Sequence, residues 1–381
     1  ILSLMTILVG AFLAINFSDM KAVLASSSVE NMGIIVLAMA IYMLGTTYHN
    51  PIIMTLSFII ILFHCVSHGI LKLSLFSTLG YIAQKYHSHS MEALGGVNKS
   101  LRSSSLLFLI SLISMCAMPI LNLFISEFLL FILCTLLLLS GQLGSTILAV
   151  FLMVFLAFNG TIILTAMVKL YAIVFLGENR TQKREPMKNS MLTLFLTILV
   201  TAQLYLTLFS LNFISILLKL FHVYPWIGSS NILKILQEPL KMLSRLSLIF
   251  IIFLLIYMLF AHLKRARKVE TWGCGSENLT LKQQYTGESF TIAITNLIKL
   301  GTKNKVKTNI TRQLFPKEHY LRVEKTDQFY GIYQRIYRFI SKISYFVLWM
   351  ESKNSQQNIL YLLIIVIILT VWIFGGGTLW K

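Results

Sequence analysis

The chain predicts an all-α, polytopic transmembrane helical bundle. Three observations carry that expectation. Of its 381 residues 56% are hydrophobic and only 12% charged, against about 25% charged in soluble domains. Its mean hydropathy is +0.78, and apolar runs reach the roughly 20 residues needed to span a bilayer several times over. The alternating segments of about ten residues that mark a transmembrane barrel are absent.

In chain order, the apolar runs fall at 1–17, 29–47, 54–83, 104–118, 122–140, 146–177, 190–221, 243–263 and 358–376. The third and sixth are long enough to tilt, to break or to run past the bilayer. The chain opens with Ile1 directly inside an apolar run, with no basic start and no small-residue cleavage site. The expectation is a chain that is N-terminally incomplete. Residues 1–264 read as one membrane domain of about eight helices. Residues 265–357 read as a polar, basic segment, and 358–381 as a C-terminal anchor.

The formal net charge is +18, unevenly placed. Residues 264–353 hold 17 Lys/Arg against 7 Asp/Glu. A positive-inside cytoplasmic segment accounts for this, and KRARK at 264–268, directly after a span, is its strongest sign. Aromatic platforms and known nucleic-acid modules are lacking, so nucleic acid is not an expected partner. Within the segment, 329–352 sets Arg335, Arg338 and Lys342 among aromatic and aliphatic residues at near-helical spacing. That pattern predicts an amphipathic helix at the membrane surface or against another subunit. The four cysteines, 65, 116, 134 and 274, form no CxxC pair, so neither a disulfide framework nor an iron–sulfur cluster is expected.

The chemistry lies in ionisable residues inside apolar runs. Each costs on the order of 2.5–3.5 kcal/mol to insert. His64, His68 and Lys72 follow i, i+4, i+8 spacing in HCVSHGILK, which lines one helix face over roughly 12 Å. They are expected to face the bundle interior. Zinc would want a third ligand or the HExxH form, and bis-histidine haem would want facing helices, so proton relay is the favoured reading. SDMKAVLASSSVENMG (18–33) sets Asp19, Lys21 and Glu30 among small residues. It reads either as a polar connection or as a discontinuous helix with Lys21 buried. In AMPILNLFISEFLL (117–130) a proline and an asparagine interrupt the apolar run ahead of Glu127, which either caps a helix or titrates. Lys169 in VKLYAIVFLG (168–177) either snorkels to the interface or serves the interior.

Taken together these elements resemble the antiporter-like membrane subunits of respiratory complex I and of group 4 membrane-bound hydrogenases. SDMKAVLASSSVENMG is similar to DLKRLLAYSSIENIG, HCVSHGILKLSLF to HxxNHALFKSLLF, and MEALGGV (91–97) to LERMGGL. MPILNLFISEFLL is similar to LPPLNGFVSEWLL and VKLYAIVFLGENR to VKAFGVAFLGRPR. ETWGCGSENLTLKQQYTGESF (270–290) and YLLIIVIILTVW (361–372) resemble elements of the hydrogenase branch. Departures are Ala22, Ser26, Ile120, Leu123 and Gly273, none of which removes one of the titratable residues singled out above.

The resemblance implies an antiporter-like fold with discontinuous helices and a proton pathway of Lys21, Glu30, His64, His68, Lys72, Glu127 and Lys169. Lys21 would be the switched site, His64, His68 and Lys72 the lateral carriers, and Glu127 and Lys169 the exit side. The family's partner glutamate would lie upstream of Ile1. It implies translocation of protons, or of Na⁺, by a multi-pass subunit in a prokaryotic inner (plasma) membrane. The driving electron transfer would occur in partner membrane and hydrophilic subunits carrying Ni–Fe and Fe–S centres, with no cofactor and no redox chemistry on this chain. Two alternatives stay open: a component of a multi-subunit Mrp-type cation/proton antiporter, and a structural subunit that does not pump.

Overall fold

The structure is a computed structural model and describes residues 1–119, 121–140, 142–180, 189–220, 229–263, 284–287, 289, 302–309, 320–327 and 330–350. The KRARK run, most of 270–290 and the expected C-terminal anchor lie outside the described residues. The chain divides into two units, Ile1–Thr302 and Lys303–Lys381.

The first unit is helical throughout its described membrane part. Its helices are α1 (Leu2–Asn16), α2 (Met20–Thr47), α3 (Pro51–Tyr86), α4 (Arg102–Met115), α5 (Asn122–Leu138), α6 (Leu143–Phe175), α7 (Ser190–Leu208), α8 (Ser210–Leu220) and α9 (Ser229–Leu263). Five stretches are long and apolar enough to cross a membrane: α2, α3, α6, α7 and Ile232–Phe260 of α9. The remaining four are shorter apolar helices.

Local chemistry sets the boundaries. Asp19 caps α2 by accepting from the backbone N–H of Lys21 (2.8 Å) and Ala22 (2.9 Å), which satisfies two of the orphan donors at a helix start. Asn50 does the same for α3, with Pro51 in the first turn. His87, in the left-handed region at φ 50°, ends α3. Ala117, at φ 46°, turns the chain out of α4, and Ser114 Oγ donates to Asn122 Oδ1 (2.5 Å) across the gap to α5. The run 104–118 and 122–140 is thus two short helices, interrupted where Pro119 denies an amide donor.

Two expectations need correction. The segment 18–33 is neither a polar connection nor a broken helix, because α2 runs unbroken from Met20 to Thr47. Its serines and asparagine stay helical by bonding backward along the turn, Ser27 and Ser28 to Leu24 O and Asn31 to Ser27 O. The run 190–221 is not one span either: Phe209, at φ −112° and ψ 30°, separates α7 from α8.

α1 and α2 pack closely because glycines stand at their crossing. A Cβ on Gly10 would collide with the backbone N and Cα of Glu30, and one on Gly33 with Ile7. The crossing presses α1 against the middle of α2 and shuts Glu30 in at 3% exposure.

Two strands, β1 (Thr302–Asn309) and β2 (Tyr320–Asp327), pair in a small sheet. The composition of the polar segment predicts no strands. A helix, α10, covers Tyr330–Met350, and Tyr330 to Ile340 are exposed along it.

Candidate functional site

The site lies where α2, α3, α5 and α6 meet. Helical spacing puts His64, His68 and Lys72 on one face of α3, and all three are buried. The rings of His64 and His68 stack with centroids 6.1 Å apart and planes 13° from parallel.

His64 is the hub. Its Nδ1 lies 2.9 Å from Ser126 Oγ on α5 and its Nε2 3.1 Å from Asn31 Oδ1 on α2. Asn31 Nδ2 donates to Glu30 Oε2 and to Ser27 O (2.8 Å). Asn159 Nδ2, from α6, donates to Glu30 Oε1 (2.6 Å). Five side chains from four helices therefore form one chain of bonds: Ser126, His64, Asn31, Glu30, Asn159. A carboxylate in an apolar interior is retained when donors satisfy its oxygens, and here two amide groups do so.

Two turns farther along α3, Lys72 Nζ donates to Ser27 Oγ (2.6 Å) and Leu24 O (2.7 Å). It also lies 5.9 Å from the centre of the Phe76 ring, within cation–π reach. Ser27 and Asn31 are one turn apart on α2, so the lysine end and the glutamate centre share a helix face. Between them stands His68, whose Nε2 is buried without a hydrogen-bond partner among the described residues.

Lys169 is 1% exposed. Its ammonium donates to Ile15 O (2.5 Å) and Phe17 O (2.8 Å), the free carbonyls at the end of α1. It does not snorkel. A cation at a helix C-terminus meets the negative end of the macrodipole. Glu127 is half-buried, and among the described residues no hydrogen bond joins it to the chain around His64.

Lys21 differs from the reading that placed it in the interior. It is exposed, the second residue of α2 after the Asp19 cap, with its side chain on the outward side of the helix. Of the sequence-selected residues, then, Glu30, His64, His68 and Lys72 are brought together, Lys169 stands at the end of α1, and Glu127 and Lys21 lie outside the bonded group. Four polar participants were missed: Ser27, Asn31, Ser126 and Asn159. Asn159 carried a signal, since a lone asparagine within 33 helical residues of high hydropathy is costly without a partner. The other three lay inside the selected elements, unremarked beside the charged residues.

Loops close the same end of the molecule as Lys169. Met91 N donates to Ser18 O and Met20 N to His89 O, both at 3.0 Å. Arg180 donates to Glu92 O (3.3 Å) and to Tyr285 O (2.6 Å). Gly287 N donates to Glu92 Oε1 (2.7 Å), and Glu178 N to Gln284 Oε1 (2.9 Å). Gln284, Tyr285 and Gly287 are thereby bonded to the loops that follow α3 and α6. Among the described residues no group of three or more His, Cys, Asp or Glu side chains is placed to hold a metal ion.

The described helices thus enclose a buried line of ionisable and amide side chains. Residues 1–135 match the family described as NADH:quinone oxidoreductase/Mrp antiporter, TM. One similar relative is hydrogenase-4 component B of Escherichia coli (strain K12), 34% identical over 201 residues, 52% of this chain and 29% of that protein. Formate hydrogenlyase subunit 3 of the same strain is 30% identical over 185 residues, 49% of this chain and 30% of that protein. An Na(+)/H(+) antiporter subunit of Bacillus subtilis (strain 168) is 28% identical over 127 residues, 33% of this chain and 16% of that protein. The matched segment thus spans about three-tenths of the first two relatives' length. A chain in the structure of the membrane-bound sulfane sulfur reductase, an archaeal respiratory membrane complex, shares the fold at a TM-score of 0.55. The likeness covers 97% of this chain and 55% of that one, at 17% identity. The chain is a membrane protein similar, over part of its length, to a hydrogenase component, a formate hydrogenlyase subunit and an Na(+)/H(+) antiporter subunit.

Proposed function

We propose that this chain is a proton-translocating subunit of a redox-driven membrane complex. The single observation that carries the reading is the buried group of Glu30, His64 and Lys72, three ionisable residues whose polar atoms meet amide, hydroxyl and carbonyl groups of neighbouring helices. Such groups are retained in an apolar bundle where protons or ions move. The kinship with hydrogenase-4 component B and formate hydrogenlyase subunit 3 supports electron transfer in partner subunits as the energy source, with Ni–Fe and Fe–S centres there. It also supports a prokaryotic inner membrane as the location.

In this reading His64, His68 and Lys72 carry the charge along α3, and Glu30 sets the field they experience. The exposed Lys21 is not a buried switch, Lys169 holds the end of α1, and Glu127 stands as a separate half-buried acid. The match to a component of an Na(+)/H(+) antiporter favours a second reading, ion exchange without redox chemistry.

The test is the assembled complex with the full-length chain in proteoliposomes. Proton uptake is followed with a pH-sensitive dye during turnover of the partner subunits. Lys72→Met removes the ammonium and keeps the stem, and is expected to lower uptake about a hundredfold or more, the scale of a positioned proton-transfer group. Full uptake by an assembled Lys72→Met complex would refute the reading. Uptake driven by a Na⁺ gradient without electron transfer would favour the second.

A further inference from the structure

We propose that the Ser126 hydroxyl is a two-position switch that follows the protonation of His64, while Asn31 closes the other ring nitrogen to proton exchange. This rests on the proton-translocating reading and deepens it, making Ser126 and Asn31 positioning residues.

Counting donors leads to it. Asn31 Nδ2 faces two acceptors, Ser27 O at 2.8 Å and the Glu30 carboxylate. Turning the amide over would set its oxygen against both, so Oδ1 must be the atom 3.1 Å from His64 Nε2. An amide oxygen accepts only. Nε2 therefore keeps its hydrogen whether the ring is neutral or charged, and the neutral form is the Nε2–H tautomer.

The other nitrogen, Nδ1, lies 2.9 Å from Ser126 Oγ. Ser126 has one hydroxyl hydrogen and two claimants for it, Nδ1 and Leu123 O at 2.7 Å. With the ring neutral, Nδ1 offers a lone pair and the hydroxyl donates to it. When a proton binds that lone pair, Nδ1–H becomes the donor. Oγ then accepts, and the hydroxyl hydrogen turns to Leu123 O. Departure of the proton reverses both movements, and no covalent bond of serine is broken. Each state is fully hydrogen-bonded, so neither strands a buried donor.

Two consequences follow. The proton reaches and leaves His64 at Nδ1 alone. Glu30 influences His64 by charge, not by handing over a proton, because the Asn31 amide between them neither gains nor loses one. The charged and histidine residues on α3 and on the helices packed against it, α7 and α9 apart, are Lys21 and Glu30 on α2, Arg102 on α4, Glu127 beside Ser126 on α5, Lys219 on α8, and His68, Lys72 and Lys85 on α3 itself; of these, Glu30 is joined to His64 through Asn31, and His68 stacks on it. α7 carries no charged residue, and Lys169 of α6 is engaged at the end of α1. The charged residues of α9, Lys234, Glu238, Lys241 and Arg245, form no hydrogen bond or ion pair with His64 among the described residues.

The experiment is ¹⁵N solid-state NMR of histidine-labelled full-length protein in bilayers, with His64 assigned by difference against His64→Gln. The native protein should show the Nε2–H tautomer with a hydrogen-bonded bare Nδ1 at high pH and two N–H signals at low pH. In Ser126→Ala the bare Nδ1 resonance should move to its unbonded position, and proton uptake by the complex should fall about tenfold, the scale of one lost charge-assisted bond. Ser126→Thr, which keeps a hydroxyl, should restore both. The native tautomer measurement needs no variant, so a Ser126→Ala chain that fails to fold leaves the decision intact. A neutral His64 carrying its hydrogen on Nδ1, or an unchanged Nδ1 resonance in Ser126→Ala, would overturn the switch. The expected resonances in a chain that moves no ions would keep the switch and refute the function. Ion movement with the opposite tautomer would do the reverse.

Discussion

The interior line and the loop-side rim of this bundle treat charge in opposite ways, although one turn of α2 separates them. Lys72 reaches Leu24 O and Ser27 Oγ from inside the bundle. Lys21, three residues before Leu24 on the same helix, is exposed. At the rim Lys99 pairs with Glu178, with side chains 60% and 57% exposed, where water satisfies whatever the pair does not. In the interior each polar atom has to find its partner within the protein or go without. A lysine in a polar-looking motif is therefore informative only once its direction from the helix is known. Where charge faces inward, the neighbouring amides and hydroxyls matter as much as the charge.

After Lys72, that contrast is sharpened most by Asn159. Replacing it with leucine keeps the apolar fit of α6 but leaves Glu30 Oε1 without its 2.6 Å donor. Leaving a buried charged acceptor unpaired costs on the order of 1–3 kcal/mol or more. Asn159→Leu should lower the unfolding midpoint in nanodiscs and cut ion translocation at least tenfold, whereas Asn159→Gln should retain part of both. A leucine variant with native stability and transport would show that Glu30 does not depend on α6, and the interior would lose its distinction from the rim.

A smaller effect is expected at the loop end. Arg180 donates to Tyr285 O, and Gly287 N is bonded to Glu92. Removing a charge-assisted bond of this kind is worth about 1.5–3 kcal/mol, less where water competes for the freed groups. Arg180→Ala should make the amide of Gly287 exchange hydrogen about tenfold faster, read by mass spectrometry. Protection around His64 should not change. Exchange that stays slow at Gly287, or that rises in the interior as well, would mean that the two regions are not separable in this way.

Much of the interior was legible in the sequence. The i, i+4, i+8 spacing of His64, His68 and Lys72 fixes one helix face wherever the helix forms, and the cost of hydrocarbon contact fixes its direction. What stayed hidden depends on pairing across helices. Ser126 and Asn159 belong to the site only because α5 and α6 pack beside α3 and α2, and no spacing within either helix announces that. The segment 18–33 misled for a local reason: serines and asparagine favour loops by competing for backbone bonds, yet here they bond backward and stay helical. The break at Phe209 has neither glycine nor proline to mark it. The strands 302–309 and 320–327 lie in a charged stretch whose composition pointed to no sheet.

The smallest effect belongs to Lys21, and it decides how far motif likeness carries. The family-like element around it suggests a buried, switched lysine, for which arginine would be a poor substitute because it cannot release its proton. The structure points the other way. Lys21 is exposed, in the first turn of α2, with its backbone N–H bonded to the Asp19 cap. A positive charge at a helix N-terminus opposes the macrodipole, so its removal should not weaken the helix. Substitutions of exposed residues away from special contacts usually change stability by no more than about 0.5 kcal/mol. Lys21→Arg and Lys21→Ala should both assemble normally and translocate ions within about twofold of the native rate, since neither alters the bonds around His64 or Lys72. Asp19→Ala, by contrast, should cost about 1 kcal/mol through loss of the cap. If Lys21→Arg abolished translocation while assembly stayed normal, the lysine would have to titrate in a state in which α2 has rotated it inward, and the division between rim and interior would fail at this turn.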